Sequence, residues 1–205
     1  GGRRTMCGWA GCAGEWVHQC TAESDTFCRT MLDAAATLAT VSQSRLHTEG
    51  NSMSKQTIET FFAGKNLVIP DYQRDYAWKQ RNIDELFSDI EEALEVGSHY
   101  LGTFILSQTS QGKPVYVVDG QQRLTTLTMV LDALIDILKD QDIRSAMRTA
   151  YIQHPLTGRK FQVLGENRDF FESMLDKKNP TPSSAGQERL KEAYQHIRLR
   201  VQSLE

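Results

Sequence analysis

Cysteine is missing from almost the whole chain. The 205 residues contain four, Cys7, Cys12, Cys20 and Cys28, and none follows position 28. Their spacing holds no C-x-x-C pair, so neither a zinc knuckle nor a thiol-redox motif is expected. The first residues show no basic segment followed by an apolar stretch and a cleavage site, which argues against a secreted disulfide framework. Long apolar runs are also lacking; none approaches the roughly 18–20 residues of a membrane-spanning helix. Neither charge dominates. The 23 basic and 26 acidic residues leave a net charge of −3, which excludes a strongly basic nucleic-acid coat but not a local basic groove. No phosphate-binding loop of the G-x-x-x-x-G-K-[ST] type is present. Gly97 and Gly102 have the spacing, but Thr103 stands where lysine is required. The five histidines (His18, His47, His99, His154, His196) are scattered, with no His-x-x-x-His pair and no compact nuclease signature. Each reads as a surface residue, and no DNA cleavage is expected from this chain alone. No internal repeat is visible, so a solenoid is not expected.

What is present is a globular balance, with 40% hydrophobic and 24% charged residues, above the apolar content of a disordered chain. Composition changes near Met53. Upstream lie all four cysteines, Trp9, Trp16 and few Ile, Leu or Val. Downstream the hydrophobic periodicity is clean. Glu49-Gly50 would be encoded by a purine-rich run resembling a ribosome-binding site, two codons before Met53. Residues 1–52 are therefore expected to be a poorly structured leader or extension outside the domain. The spaced glycines Gly8, Gly11 and Gly14 follow no strand and carry no weight as a phosphate loop. From Met53 on, 19 basic face 21 acidic residues, so contacts to nucleic acid would depend on local Arg and Lys placement.

Spacing of apolar residues predicts the elements. A short helix spans 57–63 with Gly64 after it, then a strand over Leu67–Ile69 ends at Pro70. A polar-aromatic loop leads to a helix over 80–96 with Ile83, Leu86, Phe87, Ile90 and Leu94 on one face. Two β-rich runs, 100–107 and 114–118, form a hairpin. A long helix follows, carrying Leu124, Leu127, Leu131, Leu134 and Leu138. Residues 151–164 read as a second hairpin around Pro155 and Gly158. A helix over 168–175, a Pro/Ser/Asn-rich linker over 177–186 and a helix over 187–204 complete the chain. The last helix has an apolar stripe that must be buried, on this domain or on a continuation of the chain, and a continuation, with this region truncated, is expected. The class is α+β, with a domain over 53–176, a linker over 177–186 and a helical region from 187.

The sharpest motif is Val117-Val118-Asp119-Gly120-Gln121-Gln122-Arg123-Leu124. A strand ends in Asp-Gly and a helix begins at once. Gly120 permits a tight turn, and the free N–H groups of Gln121 to Leu124 would make an anion site. Arg123 in the first turn opposes the helix dipole at a cost of about 0.3–1 kcal/mol. A bound phosphate would reverse that sign and give the guanidinium a two-pronged partner. Asp119 could hold Mg2+, and Gln121 or Gln122 could orient a water, as glutamine does in GTPases. The competing reading is a capped strand-to-helix turn with solvated glutamines. Both stand at this point.

A second motif, Ile69-Pro70-Asp71-Tyr72-Gln73-Arg74-Asp75-Tyr76-Ala77-Trp78, puts two tyrosines, a tryptophan and an arginine in one loop. Such a set suits stacking on a base and clamping of its phosphate. It equally suits an aromatic lid on the core, with Arg74 paired to a carboxylate. In a third segment, Gly165-Glu166-Asn167-Arg168, Glu166 could bind metal and Arg168 phosphate, although Glu166 and Asn167 read better as a helix start.

Taken together, IPDYQRDYAW, then YLGTFIL, then VVDGQQRLTTL, closely resembles the N-terminal domain of GmrSD-type restriction endonucleases. The resemblance runs from about Thr57 to Leu204. It implies a ParB/sulfiredoxin-like fold and a DGQQR motif that binds and hydrolyses nucleoside triphosphate with a divalent metal, Mg2+ or another. It implies a cytoplasmic role in defence against phage DNA carrying modifications, together with a His-Asn-His type nuclease domain or subunit. By resemblance, Asp119, Gly120, Gln121, Gln122 and Arg123 carry the nucleotide site, and Tyr72, Gln73 and Arg74 line the same cleft or a DNA-sensing surface. Segment 165–168 has a counterpart in ParB-like proteins. A non-catalytic ParB-like switch, DNA-binding or protein-interaction module is the alternative. The oligomeric state is open, a homo-oligomer included.

Overall fold

The computed structural model describes residues 41–46, 52–96, 100–110, 112–154, 156, 158–163 and 165–203. Among these, six strands form one sheet in the order β2-β1-β4-β5-β3-β6. The strands are β1 (Val41–Leu46), β2 (Ser52–Gln56), β3 (Leu67–Ile69), β4 (Gly102–Ser107), β5 (Val115–Asp119) and β6 (Phe161–Val163). Six α-helices accompany them: α1 (Ile58–Phe62), α2 (Gln80–Val96), α3 (Gln121–Ile137), α4 (Gln141–Met147), α5 (Arg168–Leu175) and α6 (Ala185–Gln202). This mixed sheet with packed helices is the α+β class expected. The cysteines lie outside the described residues. β1 falls within the segment expected as a leader, and β2 spans Met53.

The part that positions the site is β4-β5-β3-β6. β5, β3 and β6 run parallel, while β4 pairs antiparallel with β5. The carboxyl ends of three strands and the start of β4 therefore share one end of the sheet. That end is where ligands settle in sheets of this kind, because the strand-to-helix connections converge there.

α3 is buried along nearly its whole length. A helix so covered should be apolar all round, yet Thr125, Thr126 and Thr128 are buried too. Their hydroxyls donate to the carbonyls of Gln121, Gln122 and Leu124 at 2.8, 2.8 and 2.9 Å, so no hydroxyl is stranded. On one side Leu124, Leu127 and Val130 enter the core with Phe61, Phe62 and Phe104. On the other, α6 supplies Leu190, Tyr194, Ile197 and Val201. The stripe of the last helix is thus buried on this domain.

The expected reversal around Gly158 forms: the N–H groups of His154 and Gly158 each donate to the other's carbonyl, at 3.4 and 2.9 Å, and the Lys160 N–H donates to the Ile152 carbonyl at 2.9 Å. Its first arm is not a strand, because Tyr151 and Ile152 end a π-helix, Arg148–Ile152, that continues α4, and the strand after it, β6, pairs parallel with β3. Helix α4 was not foreseen; Asp140 starts it by accepting from the N–H groups of Asp142 and Ile143.

Three of the six tyrosines are buried with displaced ionisation. Tyr76 and Tyr151 are each pushed up to about 12 by burial, the latter helped by the charge of Glu59. Burial and Asp132 push Tyr194 further up. Folding favours the neutral phenol, whose unfolded pKa is about 10. The stability they contribute is fully present below pH 10 and is lost as pH rises toward 12 and beyond, at about 1.4 kcal/mol per pH unit per tyrosine. Lys160, lowered by burial, opposes this as one group against three. We expect urea midpoints to fall steeply above pH 10, with these phenols ionising only as the protein unfolds. Smooth, complete ionisation at 295 nm in still-folded protein would contradict this.

Candidate functional site

Gly120 is the pivot between β5 and α3. Its φ of 91° is left-handed, and a Cβ there would lie 2.5 Å from Cδ1 of Phe104. Glycine is therefore required for both backbone and space. No side chain caps α3, and its first turn holds no acid. The first intrahelical bond runs from the Leu124 N–H to the Gly120 carbonyl at 2.9 Å, which leaves the N–H groups ahead of it facing outward. Asp119 is exposed at the end of β5.

The two glutamines have different neighbours. Gln121 Nε2 donates to the Val118 carbonyl at 2.7 Å, tying the strand end to the first helical turn. Gln122, buried, reaches across to the loop after β3. Its Oε1 accepts from the Ala77 N–H at 2.7 Å and its Nε2 donates to the Asp75 carbonyl at 3.2 Å. Both amide groups thus serve backbone, and Gln122 braces the second motif from the first.

Arg123 points to the other flank. Its guanidinium lies over the Phe104 ring, 5.8 Å from the centroid, beside Gly102 at the start of β4. It is half-buried and pairs with no carboxylate among the described residues. A lone cation in a first helical turn is an unfavourable arrangement unless an anion completes it.

The aromatic loop divides between the two readings offered for it. Tyr76 is buried and hydrogen-bonded to Thr126 at 2.8 Å. Because Thr126 donates its own proton to Gln122 O, the phenol is the donor. Trp78 packs against the core. These two form the lid. Tyr72 is 76% exposed and Arg74 is exposed without a carboxylate partner among the described residues; Gln73 is half-buried between them.

Two further segments meet this loop. Asn167 Nδ2 donates to Asp75 Oδ1 at 3.0 Å. At the start of α6, a Cβ on Gly186 would lie 2.8 Å from Asp75 Oδ2, so the Asp75 carboxylate sits against the helix N-terminus that favours it. Arg189 Nε donates to the Tyr76 carbonyl at 3.0 Å, and Gln187 Nε2 to that of Glu166 at 3.2 Å. Segment 165–168, read as a helix start, does begin α5 with one 3-10 turn, and it also supports the loop. The roles of Asn167, Gly186, Gln187 and Arg189 were not read from the sequence. Arg168 pairs with Glu172 at 3.2 Å.

Removing the brace isolates one contribution. Gln122→Ala leaves an N–H and a carbonyl unpaired and should cost about 1–3 kcal/mol. Trypsin should then cut after Arg74 several-fold faster. Unchanged cleavage would mean the loop is held without Gln122.

As for metal, among the described residues no three His, Cys, Asp or Glu side chains cluster. A tight all-protein metal cage is therefore absent there. A single exposed carboxylate, Asp119, fits Mg2+, which keeps most of its waters and shares ligands with substrate phosphates. Of the histidines, His196 meets Asp84 at 2.8 Å and His154 accepts from the Leu156 N–H at 3.3 Å; the other three lie outside the described residues. No described helix is long and apolar enough to cross a membrane.

A search of curated proteins finds no match. The family model described as "GmrSD restriction endonuclease, N-terminal domain" matches residues 58–203. That span takes in the braced loop, the Asp-Gly turn, Arg123 and both supporting segments. The chain therefore belongs to the GmrSD restriction endonuclease family through its N-terminal domain, which makes it a component of a restriction system acting on modified DNA.

Proposed function

We propose that this domain binds and hydrolyses a nucleoside triphosphate at the start of α3, and that the nucleotide state licenses a His-Asn-His type nuclease domain or subunit to cut modified DNA in the cytoplasm. The observation that carries the reading is Arg123, a cation without a carboxylate partner among the described residues, in the first turn of an uncapped helix. A polyphosphate supplies what both lack: charge for the guanidinium and acceptors for the outward N–H groups. Gly120 keeps the turn free of side-chain bulk, so phosphate oxygens can reach the backbone. In hydrolysis a water oxygen bonds to the γ-phosphorus while the bond to the bridging oxygen breaks. Charge then spreads over the γ-phosphoryl oxygens, where Arg123 and the N–H groups act most strongly. When bound, Mg2+ held by Asp119 would neutralise phosphate charge. Tyr72 and Arg74, exposed on the braced loop, suit a base and a phosphate, of the nucleotide or of DNA.

A second reading rests on the glutamines. Gln122 spends both ends of its amide on backbone groups and Gln121 its Nε2, which supports a switch that binds triphosphate without turning it over. Phosphate release from GTP, ATP and CTP with Mg2+, with and without modified DNA, separates the two. Turnover supports the hydrolase, and tight binding without turnover the switch. Failure to bind any triphosphate overturns both.

A further inference from the structure

We propose that Gly102 and Phe104, neighbours on β4, are positioning residues that seat the Arg123 guanidinium before any ligand arrives. The nucleotide role of that seat rests on the function proposed above; the seat itself does not. Three contacts build it. The Phe104 ring lies beneath the guanidinium, 5.8 Å from its centroid, offering the negative face of the ring to the cation. Gly102 closes the side. A Cβ there would stand 2.5 Å from Nη1, 2.9 Å from Cζ and 3.3 Å from Nη2 of Arg123, so any side chain would displace the group. Gly120 closes the floor, its missing Cβ leaving room for the Phe104 ring.

The ring is itself fixed. Phe104 is fully buried and tilts against Phe61 at 5.1 Å between centroids, and Phe61 belongs to α1 in the core. Core packing thus holds the ring, the ring holds the guanidinium, and Gly102 sets how far it can slide. An arginine side chain free in water loses much rotational freedom when it clamps a ligand. A seat fixed in advance removes most of that loss and favours one approach direction for an anion. The YLGTFIL run between the two main motifs therefore has a role beyond forming a strand: its glycine and its phenylalanine belong to the arginine.

The full chain tests this in two independent readouts. The first is the NMR signal of the Arg123 side chain in free protein. Protons over an aromatic face shift upfield, and the shift should vanish in Phe104→Leu and change in Gly102→Ala. The second is titration with GTP, ATP and CTP in Mg2+. Affinity should fall about tenfold in each variant while cooperative urea unfolding persists. Phe104→Leu carries the test alone if the left-handed φ of 102° keeps Gly102→Ala from folding. Unshifted Arg123 signals in wild type overturn the seat whatever binds. Shifts lost in the variants with affinity unchanged overturn the positioning role. Wild-type shifts with no triphosphate binding establish the seat and overturn the nucleotide reading instead.

Discussion

Replacing Arg123 by alanine should lower triphosphate turnover by about 10²- to 10³-fold, the cost typical of losing one preorganised donor to developing charge. The size follows from isolation. Among the described residues no other cation stands in the first turn of α3, and no carboxylate offsets this one. Lysine at the same position should recover charge but only part of the rate, because a point charge cannot bind phosphate in two prongs. The folded state should not suffer. Arg123 opposes the helix dipole but stacks on Phe104, so the two effects, each about 0.5–1 kcal/mol, should nearly cancel and its removal should leave the stability of the free protein almost unchanged. Lost turnover with retained or improved urea stability is the expected signature. Lost turnover together with a lower midpoint would point to a structural arginine.

The largest effect on stability should come from Asp132, far along α3 from the site. This carboxylate is fully buried. Its Oδ2 accepts from the Tyr194 hydroxyl at 2.5 Å and from Lys177 Nζ, and its Oδ1 faces Arg148 Nη1 at 3.3 Å. Asp136, one turn on, takes Arg148 Nη2 at 2.6 Å and Lys177 Nζ at 2.7 Å. Two carboxylates, two cations and one phenol thus join α3, the π-helix, the end of α5 and α6. Asp132→Ala leaves two cations to one carboxylate and takes the acceptor of the Tyr194 hydroxyl proton, leaving that oxygen only its bond from Lys177 Nζ. Breaking a buried pair costs about 3–5 kcal/mol. Lys177 and Arg148 keep 31% and 22% of their side chains exposed and can regain water, which places the expectation near about 3 kcal/mol. Asp132→Asn should lose less, because its amide oxygen still accepts from Tyr194. Urea unfolding checks both. A loss below about 1 kcal/mol for the alanine variant would mean the network is no better than a surface ion pair.

Much of the fold was legible because its signals are local. The period of α2 and α3, the Pro70 stop and the Asp119-Gly120 turn depend on residues within a few positions. Residues 151–164 were legible only in part: the chain reversal at Gly158 is local and forms, while pairing of β6 with β3 joins residues more than ninety positions apart and leaves no local mark. In the site, the Asp-Gly turn and Arg123 could be found by pattern. Gln122 as a brace could not, since its partners at Asp75 and Ala77 lie 47 and 45 residues away. Asn167 and Gly186 were hidden likewise: an ordinary helix start and an ordinary linker glycine become supports only when Asp75 is folded onto them.

The most direct test follows the backbone amides of labelled protein as GTP, ATP or CTP is added with Mg2+. The account predicts saturable shifts concentrated at Gly120 to Leu124, with a second set at Tyr72 to Arg74, and loss of both sets in Arg123→Ala. Amides at the start of α3 that stay unmoved by every triphosphate would contradict it.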